Sequence, residues 1–123
     1  MNKKTILVVE DNELNMKLLR GLLKMSNYTM LEAFNAETGI ETARKHKPDL
    51  ILMDIQLPGM DGLEATKVIR QDEDLKHTPI IALTSYAMRG DKDKALEAGC
   101  TGYITKPINT KGLIETLKKF FLD

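Results

Sequence analysis

The sequence lacks the features that mark secreted, membrane-spanning or nucleic-acid-binding proteins. Its 123 residues include one cysteine, which rules out an internal disulfide and fits a reducing compartment. The 18 basic and 18 acidic side chains cancel, so no basic excess is available for a nucleic acid backbone. The apolar run behind the charged start Met1 to Lys4 is far shorter than a signal or membrane segment requires. We therefore expect a cytoplasmic protein with neither nucleic acid nor membrane as a partner.

The length and composition fit one folded domain. A chain of 123 residues has the usual size of a domain, and its 42% hydrophobic content is enough for an ordinary core. We expect a single domain over residues 1–123. The lone Cys100 has no base beside it in the pattern, so we interpret it as a small packed residue and not as a nucleophile.

Short apolar runs alternate with longer stretches of helical periodicity. This alternation is typical of a parallel sheet with helices on both faces. Strands are expected near residues 5–9, 28–33, 49–53, 79–83 and 101–105. Helices are expected after the cap residue Asn12, over 36–46 and about 63–71, from near 87 to 98, and from 109 or 110 onward.

The polarity of the strands predicts their order in the sheet. The first, third and fourth runs are continuously apolar, as central parallel strands are, whereas residues 28–33 include polar side chains typical of an edge. This pattern favours the α/β flavodoxin-like (βα)5 fold with a five-stranded parallel sheet of order 2-1-3-4-5. In that order, ligands bind at the switch point beyond the carboxyl ends of strands one and three.

Reactive side chains follow the apolar runs at or just beyond their carboxyl ends. Glu10 and Asp11 follow the first run, Asp54 the third, Thr84 the fourth and Lys106 the last. Since the carboxyl ends of parallel strands share one edge of the sheet, these groups should gather there. Three carboxylates, a hydroxyl and an ammonium group in one place predict a site for a divalent metal and a phosphoryl group.

The chemistry of these groups narrows the prediction. Three neighbouring carboxylates repel one another unless a cation binds, and ligands that are all oxygen indicate Mg²⁺. Lys106 would supply positive charge to a phosphoryl group, and the Thr84 hydroxyl could donate a hydrogen bond to it. Asp54 precedes a turn rich in proline and glycine, residues 57–62, which would leave its carboxylate open. The set suits transfer of a phosphoryl group to a carboxylate.

Four motifs resemble those of response regulator receiver domains, and the resemblance covers the whole chain. They are Val8-Val9-Glu10-Asp11-Asn12, Leu52-Met53-Asp54 with Leu57-Pro58-Gly59-Met60-Asp61-Gly62, Ala82-Leu83-Thr84, and Gly102-Tyr103-Ile104-Thr105-Lys106-Pro107. Within the family, residues 10–19 and 47–58 are most similar to single-domain regulators of cell division. A receiver cut from a larger hybrid kinase is an alternative that shares these motifs.

The resemblance implies a metal-binding half of the site. Asp54 would be the phosphorylated aspartate, Asp11 a direct Mg²⁺ ligand, and the backbone carbonyl of Gln56 a further ligand. Glu10 would complete the acid pair. Because many family members have two aspartates there, the longer Glu10 side chain would act through water.

The resemblance also implies the sensing half and the partners. Thr84 and Lys106 would hold the phosphoryl group, and the rotamer of Tyr103 would report the state. The protein would be a stand-alone response regulator of a two-component phosphorelay without an output domain. It would be a signalling phosphoacceptor that catalyses only its own phosphotransfer and dephosphorylation. Its partners would be a sensor histidine kinase or histidine phosphotransfer protein, and a downstream protein target.

A further set of residues is predicted to contact partner proteins. Leu14 lies beside the acid pair, and the apolar residues 18, 19, 22 and 23 are enough to cover the sheet. We therefore expect Leu14 to be partly exposed and to help dock a kinase helix bundle. The second expected surface combines the fourth helix, fifth strand and fifth helix. The residues expected to contact partners are Leu14, Asn15, Leu18, Met88 and Tyr103.

Two other functions are disfavoured. A Mg²⁺-dependent phosphatase of the haloacid dehalogenase type needs a second aspartate two residues after the nucleophile, where this chain has Gln56, and it needs a cap domain for which there is no room. A receiver fold that signals without phosphate usually loses the acceptor, the acid pair or the lysine. This chain keeps all of them.

Overall fold

The computed structural model describes residues 3–84 and 89–121, with side chains left aside at 89–91. Five strands alternate with five helices along the chain. The elements are β1 Thr5–Val9, α1 Glu13–Met25, β2 Thr29–Ala33, α2 Ala36–His46, β3 Leu50–Asp54, α3 Gly62–Arg70, β4 Ile80–Thr84, α4 Arg89–Ala98, β5 Gly102–Thr105 and α5 Thr110–Phe121. Among the described residues, no helix has the length and apolar character to cross a membrane.

The five strands form one parallel sheet in the order β2-β1-β3-β4-β5, which confirms the predicted fold. The strands β3 and β4 are buried along their whole length, as expected for central strands. Several strands begin one residue later than expected. A strand begins where backbone pairing with its neighbours begins, as at Ile51 with Ile80 and at Ile81 with Gly102. Apolar character alone does not reveal that point.

Side-chain caps set the starts of three helices. Asn12, Asn35 and Asp61 each accept a hydrogen bond from the backbone N–H three residues later, at 3.0, 2.8 and 2.9 Å. Because Asp61 is a cap, α3 begins at Gly62, one residue earlier than expected. The expected start of α4 near residue 87 lies outside the described residues.

The helices cover both faces of the sheet. One apolar cluster lies between the sheet and α2, α3 and α4, and it includes the buried Cys100. The other lies under α1 and α5. On α1 the expectation that Leu18 helps to cover the sheet was wrong, because Met16 is fully buried whereas Leu18 is 42% exposed. The inward stripe of α1 runs through positions 16, 19 and 23, and Leu18 lies about 100° away from Leu19 around the helix.

Arg70 joins three segments at the sheet edge where β4 and β5 begin. Its guanidinium donates hydrogen bonds to the carbonyl oxygens of Leu75 at 3.0 Å, Thr78 at 2.6 Å and Gly99 at 2.9 Å. A longer one, of 3.3 Å, reaches the Thr101 hydroxyl. Gly99 has a φ of +112°, and a Cβ there would lie 2.8 Å from Arg70 Cγ. The end of α3 therefore fixes the loops that lead into both strands.

We expect Arg70→Met to lower the free energy of unfolding by roughly 2–4 kcal/mol, because several partly buried carbonyl groups would lose their donor. Urea unfolding measures this change. Arg44→Met is the matched control: Arg44 is exposed and forms one ion pair of 3.6 Å with Asp72, so its loss should be below about 1 kcal/mol. Equal losses in the two variants would refute this role for Arg70.

Candidate phosphoacceptor and metal site

Polar side chains from four strands meet at the carboxyl edge of the sheet. Glu10 follows β1, Asp54 ends β3, Thr84 ends β4, and Lys106 follows β5. Glu10, Asp54 and Thr84 are all at least 98% buried. Buried polar groups at the ends of apolar strands need partners, and the parallel register supplies them from the neighbouring strands.

The acidic groups lie close together. Glu10, Asp11 and Asp54 each offer an oxygen, and these oxygens lie within 4.8 Å of one another. The Asp11 side chain is exposed, unlike the other two. Asp54 Oδ1 accepts a hydrogen bond of 2.9 Å from the Gln56 backbone N–H, which orients the carboxylate. The expected acidic cluster is therefore present.

Lys106 forms ion pairs with both buried carboxylates. Its Nζ lies 2.8 Å from Asp54 Oδ2 and 2.9 Å from Glu10 Oε1. Burial alone would lower the pKa of Lys106, but its contacts with Asp54 and Glu10 outweigh that effect and raise the pKa. The backbone N–H of Lys106 donates a hydrogen bond of 2.6 Å to the Thr84 carbonyl oxygen, which ties the segment to the end of β4, and the Lys106–Pro107 bond is cis. Lys106 therefore stays protonated in the site.

The charge on Glu10 is only partly compensated. Burial, and then the neighbouring Asp54 carboxylate, raise the pKa of Glu10 to about 7, although the contact with Lys106 opposes them. Glu10 Oε1 has this ion-pair contact but makes no hydrogen bond among the described residues. A buried oxygen without a hydrogen bond, facing a second carboxylate, fits a site that receives a cation.

This shift predicts the pH dependence of stability. Between pH 4.5 and 7 the folded protein holds a proton on Glu10 that the unfolded chain has lost, so the contribution of Glu10 to the free energy of unfolding falls as pH rises. The fall is roughly 3 kcal/mol in total and ends above pH 7. Glu10→Gln should therefore gain stability relative to wild type across this window. A difference between the two proteins that does not change with pH would contradict the shift.

A close approach behind Asp54 was missed by the sequence analysis, which assigned Gly62 only to a turn. A Cβ at Gly62 would overlap the Asp54 carbonyl oxygen and lie 2.6 Å from Ile55 Cα. The chain thus returns directly against the backbone of Asp54 and Ile55. The signal in the sequence was the glycine that ends the segment Gly59 to Gly62.

The structure describes the expected switch and docking residues with the exception of Met88. Tyr103 is half-buried and packs on the face covered by α2, α3 and α4. Leu14 is 77% exposed, as expected, and Asn15 is half-buried beside it. Met88 lies outside the described residues. The functional roles of these residues stay predictions.

Comparison with known families gives one match across most of the chain. Residues 6–118 match the family described as the response regulator receiver domain. The polar-differentiation response regulator DivK of Brucella anthropi is 48% identical over 120 residues, which cover 98% of this chain and 98% of DivK.

Two solved structures are similar in fold and in sequence. The receiver domain of a sensor histidine kinase from Pseudomonas aeruginosa, crystallised with a magnesium ion in its active site cleft, is 34% identical with a TM-score of 0.90. The alignment covers 97% of this chain and 98% of that domain. The receiver domain of Ssk1 from Saccharomyces cerevisiae, co-crystallised with the histidine phosphotransfer protein Ypd1, is 33% identical with a TM-score of 0.90, over 96% of this chain and 88% of that one.

Proposed function

Because this chain belongs to the response regulator receiver domain family, we propose that Asp54 accepts a phosphoryl group from a phosphohistidine and that the modified protein signals through protein contacts. One observation carries the assignment to Asp54. Its buried carboxylate lies 2.8 Å from Lys106 Nζ at the sheet edge, within the acidic cluster of Glu10 and Asp11. No other group of three such side chains is close enough to hold a metal among the described residues.

The acidic cluster fits Mg²⁺. Asp11 and Asp54 would bind it directly together with the backbone carbonyl of Gln56, and Glu10 would act through water. All these donors are oxygens, as Mg²⁺ prefers, and Glu10 Oε1, which makes no hydrogen bond among the described residues, would gain a second positive neighbour beside Lys106. When bound, the ion neutralises charge on the transferred phosphoryl group.

The residues account for the rest of the reaction. An Asp54 carboxylate oxygen attacks phosphorus, the nitrogen–phosphorus bond of the donor breaks, and the imidazole takes up a proton. Lys106, which pairs with the Asp54 carboxylate before the transfer, can then pair with the phosphoryl oxygens of the new mixed anhydride. Water later attacks the phosphorus, and phosphate and the Asp54 carboxylate are released. The protein acts on no other substrate in this scheme.

Phosphoramidate tests the assignment, because it has the nitrogen–phosphorus bond of the natural donor. With Mg²⁺, the protein should incorporate one phosphoryl group on Asp54, identified by mass spectrometry of the intact protein and its peptides. The competing phosphatase would instead turn over p-nitrophenyl phosphate steadily and accumulate no adduct. Labelling at another residue would refute Asp54 as the acceptor.

The output is proposed to be a shift between two conformations of Thr84 and Tyr103. The phosphoryl group would draw the Thr84 hydroxyl inward, and the Tyr103 ring would move into the vacated space. A shift from about 1% to about 99% active requires roughly 5.5 kcal/mol. Charge-assisted hydrogen bonds of roughly 1.5–3 kcal/mol each are strong enough for this shift.

The relatives suggest how the protein is used. The chain is 48% identical to DivK and covers 98% of it, which supports a role in polar differentiation or cell division. The Ssk1 complex supports a histidine phosphotransfer protein or a sensor histidine kinase as the phosphoryl donor. A downstream protein would then read the modified form in the cytoplasm.

An exposed apolar stripe on α1 is the proposed donor contact. Leu14 and Leu18 lie four residues apart on the helix and are 77% and 42% exposed. Asn15 lies beside them, and the exposed Gly21 continues the stripe with nothing within 4 Å of its Cβ position. A helix of the donor could therefore lie close along α1, next to the phosphoacceptor edge.

We expect Leu14→Ala to slow phosphotransfer from a phosphorylated donor protein by roughly tenfold, since the loss of a central apolar contact weakens docking by about 1–2 kcal/mol. Labelling by phosphoramidate should be unchanged, because it needs no docking. Met25→Ala is the control, as Met25 is 85% exposed at the far end of α1. Unchanged transfer together with a stability loss typical of a core truncation would show that Leu14 is structural.

A further inference from the structure

Lys92 contacts the residue that is proposed to report the state of the site. Its Nζ lies 5.6 Å from the centroid of the Tyr103 ring, within the range of a cation–π interaction. Lys92 is exposed on α4, whereas Ala95, one turn further along the helix, is 1% exposed against the core. The lysine therefore stands at the boundary between solvent and core, directly beside the half-buried ring.

The aromatic ring is the partner of this ammonium group among the side chains that the structure describes. Among residues 3–84 and 92–121, whose side chains the structure describes, Lys92 forms no ion pair, whereas the exposed cations Arg44, Lys47 and Lys76 each do. The contact also joins two elements, since Lys92 belongs to α4 and Tyr103 to β5. Any movement of the ring relative to α4 changes it.

The contact belongs to the unmodified form of the site. Asp54 is here an unphosphorylated carboxylate that pairs with Lys106 at 2.8 Å. If Tyr103 moves inward after phosphorylation, the ring leaves the surface. The Lys92 ammonium is strongly hydrated and cannot follow the ring without losing water. The cation thus stabilises only the half-exposed position of the ring.

We propose that Lys92 is a positioning residue that holds Tyr103 in the half-buried position described here through a cation–π contact and so sets the threshold of the phosphorylation switch. This inference rests on the proposed function, and it adds a residue that acts on the switch through Tyr103 alone. An exposed cation–π contact is worth enough to change the equilibrium between the two ring positions about two- to fivefold.

Beryllofluoride, a phosphoryl mimic, tests the threshold when it is titrated with Mg²⁺ and followed by NMR. Lys92→Met keeps the length of the apolar stem but removes the charge, so it should bind beryllofluoride about two- to fivefold more tightly than wild type. Lys92→Arg keeps a cation and should behave like wild type. The control Lys94→Met removes another exposed lysine of α4 and should also change nothing.

A double-mutant cycle separates positioning from packing. In a Tyr103→Leu background, Lys92→Met should have no further effect on beryllofluoride affinity. The proposal is overturned if Lys92→Met binds as wild type does or more weakly, if Lys92→Arg changes affinity as much as Lys92→Met, or if the effect persists without Tyr103.

The ring resonances of Tyr103 test the contact without any ligand. In the free protein they should shift in Lys92→Met and stay nearly unchanged in Lys94→Met. Unshifted resonances would refute the contact itself. A wild type that does not respond to beryllofluoride would refute the proposed function. A wild type that responds, but with the same affinity as Lys92→Met, would refute only this inference.

Discussion

Asp54→Asn is expected to yield a folded protein that incorporates no phosphoryl group. The amide that replaces the carboxylate has no anionic oxygen to attack phosphorus, and it removes one of the proposed metal ligands. The fold should persist, because Lys106 keeps Glu10 as a counter-charge at 2.9 Å and one of two repelling carboxylates is gone. The loss of labelling should therefore be complete and should not come from unfolding.

Intact-mass measurement after incubation with phosphoramidate and Mg²⁺ checks this expectation. The matched control is Asp74→Asn, which removes an exposed carboxylate paired with Lys47 at 3.3 Å. The control should label to the same extent as wild type. An Asp54→Asn protein that still accumulates the phosphoryl adduct would show that the acceptor is a different side chain.

Lys106→Met is expected to reduce both stability and labelling. Removing the cation leaves the buried carboxylates of Glu10 and Asp54 facing each other, so at pH 8 the free energy of unfolding should fall by roughly 3–5 kcal/mol. Labelling by phosphoramidate should fall by roughly 10²–10³-fold, as when a charge-stabilising donor is lost. Few other single changes outside the core should have effects of this size.

The stability loss should depend on pH and on Mg²⁺. Lys106 holds down the raised pKa of Glu10, so without it Glu10 should take up a proton more readily, and the loss should shrink as pH falls below about 7. Mg²⁺ should restore part of the stability by supplying another cation. Urea unfolding at two pH values, with and without Mg²⁺, measures both effects. Lys111→Met, which removes an exposed lysine, is the control. A loss independent of both pH and Mg²⁺ would indicate ordinary packing.

The strand order and the site could be predicted because both depend on pattern. Continuous apolar runs mark β3 and β4 as central, and parallel strands deliver Glu10, Asp54 and Lys106 to one edge whatever the details of the helices. Strand starts were less accurate because they depend on pairing with a neighbouring strand. The same holds for α1, where Met16 and Leu18 have similar hydrophobicity and only the position around the helix decides which is buried.

Contacts between segments distant in the sequence could not be predicted. Nothing near Arg70 indicates that its guanidinium reaches carbonyl groups from Leu75 to Gly99. The raised pKa of Glu10 depends on its burial beside Asp54, and the contact of Lys92 with Tyr103 depends on how α4 lies over β5. These features come from packing, to which composition and periodicity contribute only indirectly.

The binding of beryllofluoride in the presence of Mg²⁺, followed by NMR on wild type and Asp54→Asn, tests the central claim most directly. In wild type the complex should shift resonances around Asp54, Thr84 and Tyr103, and the shifts should vanish when Mg²⁺ is removed. Asp54→Asn should not respond. A wild type without Mg²⁺-dependent shifts, or an Asp54→Asn variant with the same shifts, would contradict a phosphoryl switch at Asp54.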